Sequence, residues 1–159
     1  MGKTTAKGEL GEAMIFADLV RQGHGVAIPW GHDLALGLIV VRKENGALEK
    51  VQCKYTRSDG RVILAKVTST SAWVHHRYTK DEVDWIGVYD ATTVQCLYLP
   101  ASEWDGQTLV NLRLAPTANG QGKGIRFARE FMVLKGEPHI GRRPGSDDRV
   151  PLPLEIPPE

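Results

Sequence analysis

Gly37–Lys54 reads GLIVVRKENGALEKVQCK, and the pattern of this stretch decides the fold. Two apolar runs, Leu38–Val41 and Leu48–Cys53, flank Glu44-Asn45-Gly46-Ala47. Asn-Gly between β-forming runs is a strong hairpin signal. The second run ends Val51-Gln52-Cys53-Lys54. Side chains alternate across a strand, so Gln52 and Lys54 share one face while Val51 and Cys53 share the other.

Upstream, Thr4 or Thr5 is placed to cap a helix over residues 7–22 that stops at Gly23. At helical spacing Leu10, Ala13, Phe16, Ala17, Leu19 and Val20 fall in one broad apolar arc. Glu9 and Glu12 lie inside that arc. Glu9 reads as a first-turn acid complementing the helix dipole. Glu12 sits between Phe16 and Leu19, where a carboxylate is costly unless it meets a cation or metal, so it reads as functional.

Downstream, the pattern predicts a short strand at 26–29, a loop at 30–36, and a strand at 61–67 after the turn Ser58-Asp59-Gly60. Residues 68–80 (TSTSAWVHHRYTK) are hydroxyl-rich with no clear period and read as a loop or short helix. Further strands are predicted at 83–89, 95–100 and 109–114, a helical turn at 102–104 and a short helix at 125–134. From Gly136 the chain is rich in Pro, Gly and charge. The expected organisation is one domain over 1–135 and an extended tail over 136–159. The order of elements predicts an α/β class with a central mixed β-sheet flanked by helices.

Net charge is only +1, but it is unevenly distributed. Residues 36–80 carry nine Lys/Arg against three acids, a net of +6, while residues 81–120 carry one against six, a net of −5. A basic half beside an acidic half suits a directional polyanion-binding face as well as it suits solvated hairpin edges. Cys53 and Cys96 read as two buried free thiols, and the absence of CxxC or Cys/His spacing argues against zinc. Neither a signal peptide nor a bilayer-spanning apolar run is evident, which predicts a cytoplasmic protein without membrane contact.

Glu12, Gln52 and the backbone carbonyl of Cys53 are oxygen donors of the kind Mg²⁺ takes, with Lys54 alongside to offset charge on a phosphate. Adjacent His75 and His76 on an extended segment point apart, so contact with phosphate or base edges is preferred to a shared metal. The Gly120–Gly124 run lacks the order of a phosphate-binding P-loop.

The blocks KGELGEA (Lys7–Ala13), IPWG before the hairpin, and VQCK (Val51–Lys54) resemble the PD-(D/E)XK homing endonucleases of group I introns and their bacterial relatives. So do DEVDWIGVYDATTVQCLYLPA (Asp81–Ala101), LRLAPTANGQ (Leu112–Gln121) and GIRFAREF (Gly124–Phe131). The resemblance runs in order from about residue 7 to 134. It implies a restriction-endonuclease-like core, cleavage of double-stranded DNA assisted by Mg²⁺ or Mn²⁺, and a homodimer or homotetramer. On the same ground Glu12 and Gln52 would bind metal and Lys54 would act on the phosphate. A Holliday-junction resolvase or a non-catalytic DNA-binding protein would share this core.

One position departs from the pattern. The family places an aspartate before Leu-Ile-Val, and here Leu36-Gly37-Leu38-Ile39-Val40 puts glycine there. An inactivating change, natural or engineered, is the preferred explanation. Drift in a degenerate copy, or Asp33 reaching back from the loop, would also account for it. DNA contacts are expected from Arg42, Lys43, Lys50, Arg57, Arg61, Trp73, His75, His76, Arg77 and Lys80.

Overall fold

In the computed structural model, residues 3–31, 34–71, 74–118, 120 and 122–136 are described. Asp33, Trp73 and the tail from residue 137 lie outside the described residues. Helix α1 spans Lys3–Arg21 and is followed by Gly23 at a φ of 91°, the left-handed backbone that ends many helices. The strands are β1 (Gly25–Ala27), β2 (Leu38–Val41), β3 (Leu48–Thr56), β4 (Val62–Lys66), β5 (Thr68–Ser71), β6 (Val74–Arg77), β7 (Trp85–Asp90), β8 (Gln95–Pro100) and β9 (Leu109–Arg113). A one-turn helix α2 spans Ala101–Trp104, and Ala128–Phe131 form a 3₁₀ turn.

The central sheet has the order β1-β2-β3-β7-β8. Only β3 and β7 run parallel; the other pairs are antiparallel, so the sheet is mixed as its sequence pattern predicts. Helix α1 covers one face, packing Ile15 and Leu19 on Leu38, Val40, Val51, Trp85, Tyr89 and Tyr98. The opposite face is covered by the β4–β9 pair, α2 and the 3₁₀ turn around Ile86, Val88, Leu97, Leu99 and Trp104. With both faces covered, every residue of β7 is buried.

Two glycines set how closely α1 sits. A Cβ on Gly11 would lie 3.2 Å from Tyr55 Cβ and 3.3 Å from the Tyr55 backbone nitrogen; one on Gly87 would lie 3.2 Å from Ile15. This contact rotates the helix away from the predicted arc: Gly11, Ile15 and Leu19 face the sheet, whereas Leu10, Ala13, Ala17 and Val20 are exposed. Gly8, one turn earlier, has no heavy atom near its absent Cβ. Gly11→Ala is therefore expected to destabilise by about 1–3 kcal/mol through overpacking against backbone. Gly8→Ala should gain up to about 1 kcal/mol from helix propensity. Urea midpoints moving in opposite directions for these two substitutions check the assignment.

Three other expectations change. Thr4 and Thr5 lie within α1 rather than capping it, because the helix already starts at Lys3. Residues 125–134 form only the short 3₁₀ turn, since their backbone partly pairs with neighbours, as in the Arg113–Phe127 bridge. Thr68–Ser71 and Val74–Arg77 are strands rather than the expected loop or helix: β5 and β6 pair antiparallel, Thr68 opposite Arg77 and Ser69 opposite His76. The two thiols are free and half-buried; burial pushes both up, Cys96 to about 12, so neither is a ready nucleophile. Among the described residues no helix is long and apolar enough to cross a membrane.

Candidate active site at the start of the second strand

The hairpin β2–β3 pairs in register from Val41↔Leu48 to Leu38↔Val51. One more bond, from the Gly37 backbone N–H to the Val51 carbonyl at 3.0 Å, closes it. Beyond that point β3 runs on from Gln52 to Thr56, paired in the sheet from its other side by β7. Gly37 thus stands at a notch where one edge of β3 opens.

Position 37 faces the helix acid. A Cβ on Gly37 would lie 3.0 Å from Glu12 Oε2, 3.4 Å from its Cδ and 3.5 Å from Cys53 Sγ. The nearest of these atoms is the end of a flexible side chain, which can shift at little cost. Gly37 is not among the residues with positive φ, so its backbone does not require glycine. Glu12 reaches this place because Gly11 lets α1 close on Tyr55. Ile28 and Leu38 line the adjoining groove of ≈360 Å³ together with Glu9, Glu12, Ala13 and Phe16.

Desolvation in this apolar groove, and then the charge of Glu9, raises the Glu12 carboxyl above its ordinary value. The folded state therefore disfavours the ionised form. The penalty is absent below the unfolded carboxyl value of about 4.3, grows as pH rises towards the folded value, and is constant above it. Glu12→Gln should remove this pH dependence, so that the variant gains on the parent in thermal stability as pH rises from about 4 to 7. Melting temperatures measured across that range check it, and parallel curves would contradict the assignment.

Gln52 and Lys54 leave β3 on the face opposite Cys53. They stand beside Ile86 and Val88 in register, both of which pack on the side away from α1. Lys54 Nζ donates to the Thr68 carbonyl at 3.0 Å and to Tyr78 Oη at 3.2 Å, and lies 4.6 Å from the Tyr78 ring centroid. Glu12 and Lys54 thus flank β3 from its two sides, with Gly37 at its open edge. The sequence pattern groups Tyr78 with His75, His76 and Arg77 but offers no cue linking it or Thr68 to a lysine on another strand.

The basic residues divide. Lys43, Arg57, Arg61, His75, Arg77 and Lys80 are exposed. Lys50 is half-buried and donates to the Asp81 carbonyl at 2.6 Å, and His76 Nε2 lies 3.1 Å from Glu82 Oε1. The acidic segment thereby folds against part of the basic one. Arg42 is not a DNA contact, contrary to the sequence expectation: it is 4% exposed and all its guanidinium nitrogens are engaged. Nε donates to Glu49 at 2.9 Å, Nη1 to the Leu134 carbonyl at 2.9 Å and Nη2 to the Gly136 carbonyl at 3.0 Å. A cross-strand acid and two carbonyls outcompete solvent for it.

Among the described residues no group of three or more His, Cys, Asp or Glu converges as metal ligands do. Beside the notch stands the Glu12 carboxylate; Gln52, expected from the sequence to share the site, leaves β3 on the opposite face, so the two are not brought together. A Mg²⁺ site of ordinary strength takes one or two carboxylates with a well-formed octahedral shell. With glycine at 37 a single carboxylate is left on the α1 side of β3 and the Gln52 amide lies on the other, so the residues present do not fit the ion.

Comparison with curated proteins finds no match. Among solved structures, that of a bacterial homing endonuclease superposes with a TM-score of 0.56 at 23% identity, covering 77% of this chain and 84% of that one. At this identity the likeness shows the fold, a restriction-endonuclease-like α/β core. The family model described as PD-(D/E)XK endonuclease matches residues 2–134. On that match, which spans most of its length, the chain belongs to the PD-(D/E)XK endonuclease family of DNA-cleaving hydrolases.

Proposed function

We propose that this protein is a site-specific double-stranded DNA endonuclease of homing or restriction type whose hydrolysis is crippled by Gly37. One observation carries the reading: the absent Cβ of residue 37 would project to 3.0 Å from Glu12 Oε2, so a carboxylate at 37 would stand directly beside Glu12 once that flexible side chain gives by a few tenths of an ångström. In this reading Glu12, Gln52 and the Cys53 carbonyl are the remaining oxygen donors, Lys54 meets the scissile phosphate, and DNA lies against the exposed basic residues. The protein acts as a homodimer or homotetramer in the cytoplasm, with Mg²⁺ or Mn²⁺ as the ion a complete site would take.

The test is cleavage of supercoiled and linear DNA by the parent chain and by Gly37→Asp in Mg²⁺, with binding to duplex followed in parallel over a salt series. Binding by both and efficient cutting only by the variant supports the proposal. Failure of both to bind duplex at low salt would remove it.

A further inference from the structure

Among the described residues Lys54 is one of the few cations whose ammonium is engaged inside the fold rather than in solvent. It is clamped at the base of the β5–β6 hairpin. Thr68 opens β5, and Arg77, its partner across the ladder, immediately precedes Tyr78, so the hairpin brings a carbonyl and a phenol to the same spot. Tyr78 is 4% exposed, and the His76 ring meets it edge-on with centroids 5.2 Å apart. An ammonium has three N–H donors and no acceptor. Two of Lys54's are spent on Thr68 and Tyr78, and the Tyr78 π-face adds a cation–π contact from the same side.

We propose that Tyr78 is a positioning residue for Lys54: its hydroxyl and ring fix the ammonium so that the third N–H is the one offered to phosphate. The inference rests on the reading that Lys54 acts on DNA. A lysine is a flexible point charge on a four-carbon stem, so its usefulness in a transition state depends on restraint of this kind. The restraint comes from the hairpin that also carries His75, His76 and Arg77, which makes the ammonium sensitive to the placement of that hairpin.

Two measurements decide it. In the parent protein, ¹H–¹⁵N correlation of lysine ammonium groups, with Lys54→Arg for assignment, should show a slowly exchanging, ring-shifted Lys54 signal. Tyr78→Phe should keep the ring shift but speed exchange, and Tyr78→Leu should abolish both. An unchanged Lys54 signal in Tyr78→Leu overturns the contact. In the Gly37→Asp background, Tyr78→Phe should slow single-turnover cleavage about tenfold or more with little change in duplex affinity, as expected for loss of a charge-assisted hydrogen bond. Equal cleavage rates with and without the Tyr78→Phe substitution overturn the role alone. An intact Lys54 signal with no cleavage by Gly37→Asp itself overturns the underlying function, and the role of Tyr78 with it.

Discussion

Gly37→Asp is expected to raise Mg²⁺-dependent DNA cleavage by at least about a hundredfold, because a metal held by two carboxylates supplies several kcal/mol of charge stabilisation that one carboxylate and an amide do not. The substitution is structurally mild. The backbone at 37 is not in the left-handed region, and the closest approach is to the mobile end of Glu12. Without metal, two adjacent carboxylates repel, so the variant should lose stability in chelator and recover it in Mg²⁺. Lys54→Ala in the same background should return cleavage to the parent level while leaving metal-dependent stabilisation in place. A variant that gains metal affinity yet cuts no faster would show that Lys54, on the other side of β3, does not reach the same phosphate.

The second large effect concerns stability. Arg42→Ala is expected to cost about 3–5 kcal/mol and to lower the melting temperature by roughly 10 °C or more. The reason is what it leaves behind. Glu49, 3% exposed, would keep only the Trp85 indole N–H at 2.6 Å, and the carbonyls of Leu134 and Gly136 would lose their donor. A buried, half-compensated carboxylate is more damaging than losing both charges. Arg42→Met with Glu49→Leu should therefore be less destabilising than Arg42→Ala alone, as chemical denaturation would show. Any loss of DNA binding in Arg42→Ala should track unfolding rather than a missing phosphate contact.

The hairpin β2–β3 was legible because its alternation and Asn-Gly turn are local signals, and the structure reproduces Leu38–Val41 residue for residue. The strand after it runs on to Thr56, since β7 supplies pairing that no local pattern announces. The β5–β6 hairpin was hidden for a related reason: Thr68, Ser69, Thr70 and Ser71 carry no apolar alternation, so only the ladder itself reveals a strand. For α1 the helix was evident but its rotation was not. Hydrophobicity alone favoured an arc centred through Leu10 and Val20; close packing of Gly11 on Tyr55 kept Leu19 of that arc inward but brought Ile15 in beside it and left Leu10 and Val20 exposed. At the candidate site, Glu12 and the gap at 37 could be read from motif and polarity. The surroundings of Lys54 and the burial of Arg42 could not, because both depend on partners far along the chain.

The grip of Arg42 on the last described residues also bears on where the polypeptide can be shortened. The family match ends at 134, but the acceptors that Arg42 holds include the carbonyl of Gly136, and Gln22 Oε1 accepts the Leu134 N–H at 3.0 Å. A stop codon placed from residue 132 onward but short of 136 would strip this buckle from the end of α1 and the rim of the sheet. Ending the chain before Gly136 is therefore expected to lower stability, which melting temperatures of such truncations against the parent would check.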